Sequence, residues 1–593
     1  MKILNISGGE LLLRCIAQEK VKYIFGVVGG QWLPFIDAIY REGENLGIKY
    51  IGTRHEQAAA HMADAYARLT GIPGVCLGTV GPGAVDLVPG VYPAYADNIP
   101  MVVLTVQNQT WKSYPDHGST QGCDQLELFK GVVKWNAVIS HWKRIPELVR
   151  QAFRVATSGA PAPVHLDVPV DVLAAMGPEE SVRIVPAERY RATVPPVGNP
   201  ELIKKAAKML VEAKFPLIHP GGGVMRSKAS KEIQELAEHL GAAVTGTVCA
   251  RDALPNDHPL YFAAATYGAL TAQSQADVVL VVGSSLCDYD FWGQPPAWKP
   301  PEEQKFIQID IDPQMIGVNR DVDVAIVGDA KATLRLLIEE VKKMTNKRAP
   351  NPGIQACRQA QEMQRAGYKE FAESDLKPIH PMRLMKEVRE FFPKNAISII
   401  DGGNTALWYT YMNLIYEPGT FLQAADSGHL GVGLPYAIAA KLAEPKRPVY
   451  AVCGDGSFML NIQELETAAR LEVPIVIIIN NDRQWGMIKG GQKLSFGERY
   501  LGVDFTDVRY DLVAQAMGCF GERVTEPSQI RPALERAVKS NKPAVIDVVV
   551  DREANLVPPD LAMINAIWLE GVEMPKVEEE AEVKPKAKAA EEA

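Results

Sequence analysis

AVCGDGSFMLNIQELETAARLEVPIVIIINNDRQWG, residues 451–486, decides how the chain is read. It opens with an apolar run that stops at Gly454-Asp455-Gly456-Ser457. A helical pattern follows, and then a second apolar run, PIVIIINN, stops at Asn480-Asn481-Asp482. Val/Ile runs separated by a helix are strands buried on both faces, which predicts parallel neighbours in one sheet. Parallel strands end at the same edge, so Asp455 and Asn481, 26 positions apart, can converge outside the carboxyl ends. A carboxylate and an amide oxygen are hard donors suited to Mg2+. The glycines leave backbone N–H groups open to phosphate oxygens where a helix begins. Read singly, GDG is also an ordinary strand-to-helix turn and NN an ordinary strand end. Together, across one β-α-β step, they predict a cradle for a metal and a diphosphate.

The same alternation runs outward in both directions. YIFGVV (23–28), GVCLGTV (74–80), MVVLTV (101–106), PVHLDVP (163–169), DVVLVVG (277–283), KFIQIDID (305–312), AISIID (396–401) and AVIDVVV (544–550) all have strand length and lie between helical patterns. The predicted class is α/β, with three doubly wound parallel-sheet domains. Residues 176–200, rich in proline and charge without periodicity, and 344–381, where MTNKRAPNPG is mixed with a polar helical stretch, read as linkers. The domains then fall at 1–178, 196–345 and 379–560. Residues 575–593 are Lys, Glu and Ala with almost no large apolar side chain, so a disordered tail without catalytic work is expected.

A chain of 593 residues exceeds any single small binding module, and 47% hydrophobic residues supply several cores. A formal charge of −9 argues against a nucleic-acid partner. The eight cysteines form no CxxC pair and read as reduced thiols. No apolar run reaches the roughly 18 residues of a membrane span. MKILNISGGELLLRCI lacks the pattern of a signal peptide, so a cytoplasmic location is expected.

Near the N-terminus, residues 49–52 read as a strand and TRHEQAAAHMADAYARLTG (53–71) as an Ala-rich helix starting at its carboxyl end, with Glu56 at the junction. A carboxyl group in an apolar cleft there would bind its proton more tightly and could share it with a heterocyclic nitrogen; an exposed capping glutamate is the plainer alternative.

GDG followed after this spacing by NN resembles the thiamine-diphosphate-dependent enzymes. RHEQAAAHMADAYAR resembles the pyrimidine-binding domain of their acetohydroxyacid (acetolactate) synthase and pyruvate oxidase branch. The resemblance implies thiamine diphosphate and Mg2+ as cofactors. The metal would be held by the side chains of Asp455 and Asn481 and the backbone carbonyl of Arg483. Gly454, Gly456 and Ser457, with Gly403, Asn404 and Thr405 of DGGNTALW (401–408), would hold the diphosphate. Leu430 of SGHLGVGLP (427–435) matches the residue that wedges the cofactor into a bent shape; on burial alone it reads as a core leucine. Glu56 would bond the aminopyrimidine N1′. Gly29 and Gly30 of FGVVGGQWLP (25–34) and Gln121 of TQGCDQLELFKGVVKW (120–135) would lie near the reacting carbon. His55, His61 and His117 are further proton-transfer candidates, although a helix histidine is more often structural. Because the family sets this glutamate across a subunit interface from GDG, self-association as a homodimer or homotetramer is implied.

The resemblance also allows FAD in the central domain, but the arginine-containing stretch of the flavin-binding members reads GSSLCDYD (283–290) here, which argues against it. Synthases carry Trp-Glu beyond NN where this chain has Gly491 and Gln492, and a phenylalanine where it has Thr120, so the acceptor pocket is altered. The expected activity is that of an acetolactate synthase-like carboligase, with a 2-oxo acid or related carbonyl compound as substrate. A 2-oxo acid decarboxylase or 2-hydroxyacyl-CoA lyase is the runner-up. Retention of Glu56, Asp455 and Asn481 argues against an inactive regulatory paralogue.

Overall fold

The computed structural model describes residues 5–572; the tail expected at 575–593 lies outside the described residues. Three six-stranded parallel sheets are flanked by helices, as the alternating pattern predicts. The N-terminal sheet runs in space Lys49–Gly52, Tyr23–Gly26, Gly74–Gly78, Met101–Gln107, Pro163–Pro169, Trp135–Val138. The C-terminal sheet has the same winding, Phe421–Leu422, Ile397–Asp401, Val449–Gly454, Val476–Asn481, Ala544–Val549, Phe520–Val524. In both, the chain reverses direction beside the first strand, the place where an open α/β sheet offers a crevice at its carboxyl edge. The central sheet is wound Tyr261–Phe262, Ala243–Thr245, Pro216–Pro220, Val278–Val282, Lys305–Asp310, Val324–Val327.

Every residue of Met101–Gln107, Val278–Val282 and Ala544–Val549 is buried, which is why these strands read as continuous apolar runs rather than alternating ones. The helical stretch expected within 344–381 is Ile354–Gly367, but it is more than a linker, since its Ile354 and Cys357 enter the central core. Gln364 is buried as well and accepts the N–H of Tyr267 at 2.9 Å, so the polar composition of the helix hid the positions that dock it. Among the described residues no helix is long and apolar enough to cross a membrane.

One core spans the N- and C-terminal domains, with Ala59, Ala63 and Tyr66 meeting Leu434, Tyr436 and Ala437. The helix Glu56–Thr70 lies along Gly433–Ala443, both built from small residues that allow close approach. Asp64, fully buried between them, receives Arg68 at 2.7 Å and the hydroxyl of Tyr436, and Arg68 also pairs with Asp97 at 2.7 Å. A buried carboxylate needs such partners to offset its lost hydration. The helix that begins at Glu56 is thereby fixed against the C-terminal domain of its own chain.

Candidate functional site

Gly454 pairs in register with Asn480, so Asp455 and Asn481 leave the sheet side by side. Above this edge lies a cavity of about 370 Å³, bounded on its far side by the central-domain residues Val248, Arg251 and Tyr289. Gly403, Asn404, Thr405, Leu430, Gly454, Asp455, Gly456 and Ser457 all line it. Two helices, Gly403–Met412 and Asp455–Met459, begin on its floor and direct free N–H groups toward it. Glycine at 456 is sterically required, since a Cβ there would stand 2.5 Å from the Trp485 ring. Leu430 is half-buried on the wall rather than in the core. Its segment is held by Asp401, which accepts the N–H groups of Gly431 and Gly433, the latter at 2.8 Å.

Burial holds the Asp455 carboxyl well above the usual range, and the neighbouring Asp482 carboxylate adds to this. Asn481 is fully buried and donates Nδ2 to Asp547 Oδ1 at 2.7 Å, while its Oδ1 has no hydrogen-bond partner among the described residues. Two crowded carboxylates beside an orphaned amide oxygen fit a divalent cation, which would supply the missing positive charge and bond. Asn481 and Arg483 stand behind the cavity wall rather than on it. Arg483 has φ 56°, and its carbonyl already accepts the N–H of Phe505 at 2.9 Å. Asp482 directly follows NN and was legible as an acidic neighbour, but its place beside Asp455 depends on how the loop turns back.

The N-terminal residues gather around the turn 79–83. Glu56 is 8% exposed, and burial raises its proton affinity, with Asp86 adding to the effect. Its Oε1 comes so close to Gly83 that a Cβ there would lie 2.8 Å away. Gly81 backs onto the backbone of Gln121, and Gly29 onto the side chain of Thr79. Gln121 and Gly30 are exposed. None of Glu56, Gly29, Gly30 and Gln121 lines the cavity that contains Asp455.

Of the histidines, His55 caps the Glu56 helix through Nδ1, and His117 lies in an exposed loop. His61 is fully buried, and burial pushes its pKa well below the ordinary value, so its ring is neutral. Gln492 exchanges hydrogen bonds with the Leu501 backbone at 3.1 and 3.2 Å, and neither it nor Gly491 lines the cavity. Trp485, Met487, Ile488, Met563 and Trp568 do. A second cavity, about 480 Å³, lies over the central sheet, lined by Gly222, Arg226, Gly283, Ser284, Ser285 and Asp310 among others. There Arg226 lies over Gly222 and donates to the Asp97 carbonyl at 2.7 Å.

Three doubly wound domains, a helix-floored cradle and a carboxylate-amide pair behind it define an α/β enzyme built for a diphosphate cofactor. The chain belongs to the thiamine pyrophosphate enzymes: the family's N-terminal TPP binding domain matches residues 6–128, its central domain 203–337 and its C-terminal TPP binding domain 401–548. Proteins similar to it include chains named acetolactate synthase large subunit. It is 36% identical to the probable acetolactate synthase large subunit of Methanocaldococcus jannaschii over 95% of each chain. It is 32% identical to the acetolactate synthase large subunit of Haemophilus influenzae, over 93% of this chain and 96% of that one. The acetolactate synthase isozyme 3 large subunit of Escherichia coli is 31% identical, over 96% of this chain and 99% of that one. The protein is a thiamine-diphosphate-dependent enzyme of the acetolactate synthase kind, as its motifs imply.

Proposed function

We propose that the protein is a Mg2+-dependent carboligase that joins a fragment of a 2-oxo acid to a second carbonyl compound, in keeping with its similarity to proteins named acetolactate synthase large subunit. The observation that carries this reading is the cradle itself: Asp455 and Asp482 crowded together beside the partnerless Oδ1 of Asn481. When bound, thiamine diphosphate supplies a nucleophilic C2 carbon and an acceptor for the electrons released as a C–C bond breaks. Asp455 and Asn481 would hold Mg2+ against the diphosphate, with Arg483 or Asp482 adding an oxygen. The helix starts at Gly403 and Asp455 would bind phosphate oxygens, with Asn404, Thr405, Gly454, Gly456 and Ser457 beside them, and Leu430 would press on the cofactor's middle. Glu56, already disposed to keep a proton, would exchange it with the aminopyrimidine N1′. Gln121, Gly29 and Gly30 would border the reacting carbon.

Because Glu56 does not line the Asp455 cavity within one chain, we assign the working site to a homodimer or larger homo-oligomer. The relatives' description as large subunits adds a smaller regulatory chain as a candidate partner. The free cysteines fit a cytoplasmic location. We leave FAD out of the reading: Gly283–Asp290 brings no basic side chain to the central cavity, and the absorbance spectrum of the purified protein tests this.

The position of Gln492, tied to Leu501 and off the cavity wall, favours one second reading, a decarboxylase or 2-hydroxyacyl-CoA lyase with another acceptor. Incubation with pyruvate, other 2-oxo acids and 2-hydroxyacyl-CoA compounds, with Mg2+ and cofactor, separates the two. Acetolactate from pyruvate is expected. Acetaldehyde alone, or acyl-CoA cleavage, would replace carboligation by the second reading, and cofactor binding without turnover of any of these would reject both.

A further inference from the structure

The turn that presents Glu56 is gripped from the other end of the chain. Glu464, the first residue of the helix Glu464–Arg470, belongs to the diphosphate-binding domain and is fully buried. Its Oε1 accepts the N–H groups of Arg54 at 3.0 Å and His55 at 3.1 Å, the two residues before Glu56. Its Oε2 accepts the Thr467 hydroxyl at 2.6 Å. Six residues further on, Arg470 donates to the Gly52 carbonyl at 2.6 Å, so one short helix holds both sides of the 52–55 turn.

We propose that Glu464 is a positioning residue for Glu56, fixing from the diphosphate domain the backbone from which the Glu56 carboxyl projects. The proposal rests on the role read for Glu56 above. Three observations set this contact apart from ordinary domain packing. Asp64, Arg68 and Tyr436 already join the two domains further along the same helix, so adhesion does not need a second buried carboxylate. Glu464 makes no ion pair among the described residues; its hydrogen bonds come from two backbone N–H groups and a hydroxyl, with the start of the Glu56 helix and the more distant charge of Arg470 adding to them. Burying a carboxylate on such terms is costly, which is why its pKa is pushed up to about 7, and an apolar residue would pack there without that cost. What the carboxylate adds is direction: two donors on consecutive residues, caught by one oxygen, leave the turn a single orientation, and Glu56 is the next residue.

The test uses the full-length protein as Glu464→Gln, Glu464→Ala, Glu56→Gln and the Glu56→Gln/Glu464→Ala double variant. In cofactor-free protein, amide hydrogen exchange at Arg54 and His55 should be slow in the wild type and fast in Glu464→Ala. With thiamine diphosphate bound, exchange of its C2 proton should fall about 10²-fold in Glu464→Ala, the loss expected from a misplacement near 1 Å, while cofactor affinity stays within a few-fold. Glu464→Gln keeps a carbonyl oxygen for both N–H groups and should recover most of both properties. The double variant should be no slower than Glu56→Gln alone, because both changes act through one group. Slow exchange in Glu56→Gln with wild-type exchange in Glu464→Ala would overturn the positioning role only; wild-type exchange in Glu56→Gln would overturn the Glu56 reading itself. A double variant slower than Glu56→Gln by the full Glu464 factor would also overturn the proposal. If Glu464→Ala does not fold, unaltered amide protection with slowed C2 exchange in Glu464→Gln would overturn it equally.

Discussion

Asn481 gives its side-chain N–H to Asp547 Oδ1 at 2.7 Å and so keeps its own Oδ1 buried and unbonded. Asp547 is fully buried on the neighbouring strand, in register with Ile479, and Arg523 approaches it at 3.6 Å. An amide can turn either end toward a metal, and only the oxygen binds one. Asp547 decides which end Asn481 offers.

Replacing Asp547 by Ala is therefore expected to weaken Mg2+ binding by about 10- to 100-fold in the presence of thiamine diphosphate, the usual cost of losing a partner that orients a ligand. Asp547→Asn, which still offers an oxygen, should lose less. Asp455→Ala should abolish Mg2+-dependent cofactor retention altogether. Calorimetric titration with Mg2+ reads all three, and an unchanged dissociation constant in Asp547→Ala would dismiss the orienting role.

Glu56→Gln keeps the size and hydrogen-bonding capacity of the side chain and removes only its acid-base function. Cofactor affinity should stay within a few-fold, and exchange of the C2 proton of bound thiamine diphosphate should fall by about 10²- to 10⁴-fold. Quenched-flow NMR of the bound cofactor measures that rate. A wild-type rate would remove Glu56 from the proton path.

The strands and the two ends of the cradle were legible because they are local: an apolar run, its terminating Gly454-Asp455-Gly456, and the next run ending at Asn481 stand close together in the chain. Asp547 and Glu464 were not. Each acts on a residue distant in sequence, Asp547 on Asn481 and Glu464 on Arg54 and His55, and nothing in AVIDVV or NIQEL announces the partner. Ile354 and Cys357 were hidden differently, in a helix whose largest other apolar side chain, Met363, is exposed and whose remaining residues are mostly polar. Spacing reveals what one β-α-β step brings together; contacts between domains need the fold.

Trp485 lies against Gly456, where a Cβ would stand 2.5 Å from its ring, and it meets Phe505 edge-on at 5.1 Å between centroids. Gly456→Ala should push the indole off the cradle floor, destabilise the protein by about 1 to 3 kcal/mol and weaken cofactor binding. Trimming the obstacle in Gly456→Ala/Trp485→Leu should restore part of the affinity. Thermal melting and cofactor fluorescence titration report the two effects, and a double variant as weak as the single one would show that the clash is not the cause.

The turn 79–83 depends on a buried acid remote from the proposed Mg2+ site. Asp167 is fully buried and accepts Gln125 Nε2 at 2.6 Å, Thr105 Oγ1 at 2.8 Å and the Tyr114 hydroxyl; Gln125 in turn takes the N–H of Gly81 at 2.9 Å. Burial raises its pKa to about 6 although these hydrogen bonds pull it down. A group whose folded pKa lies above its unfolded value binds its proton more tightly in the native state. Its stabilising contribution is thus complete below the unfolded pKa of about 3.8 and is lost as pH rises through about 6. Asp167→Asn carries no such proton, so the stability difference, wild type minus variant, should shrink by about 2 kcal/mol between pH 4 and pH 7. Denaturation of both proteins across that range measures it. A difference that does not change with pH would mean that Asp167 titrates at its ordinary value and that the Gln125–Gly81 link is not held by a strained carboxyl.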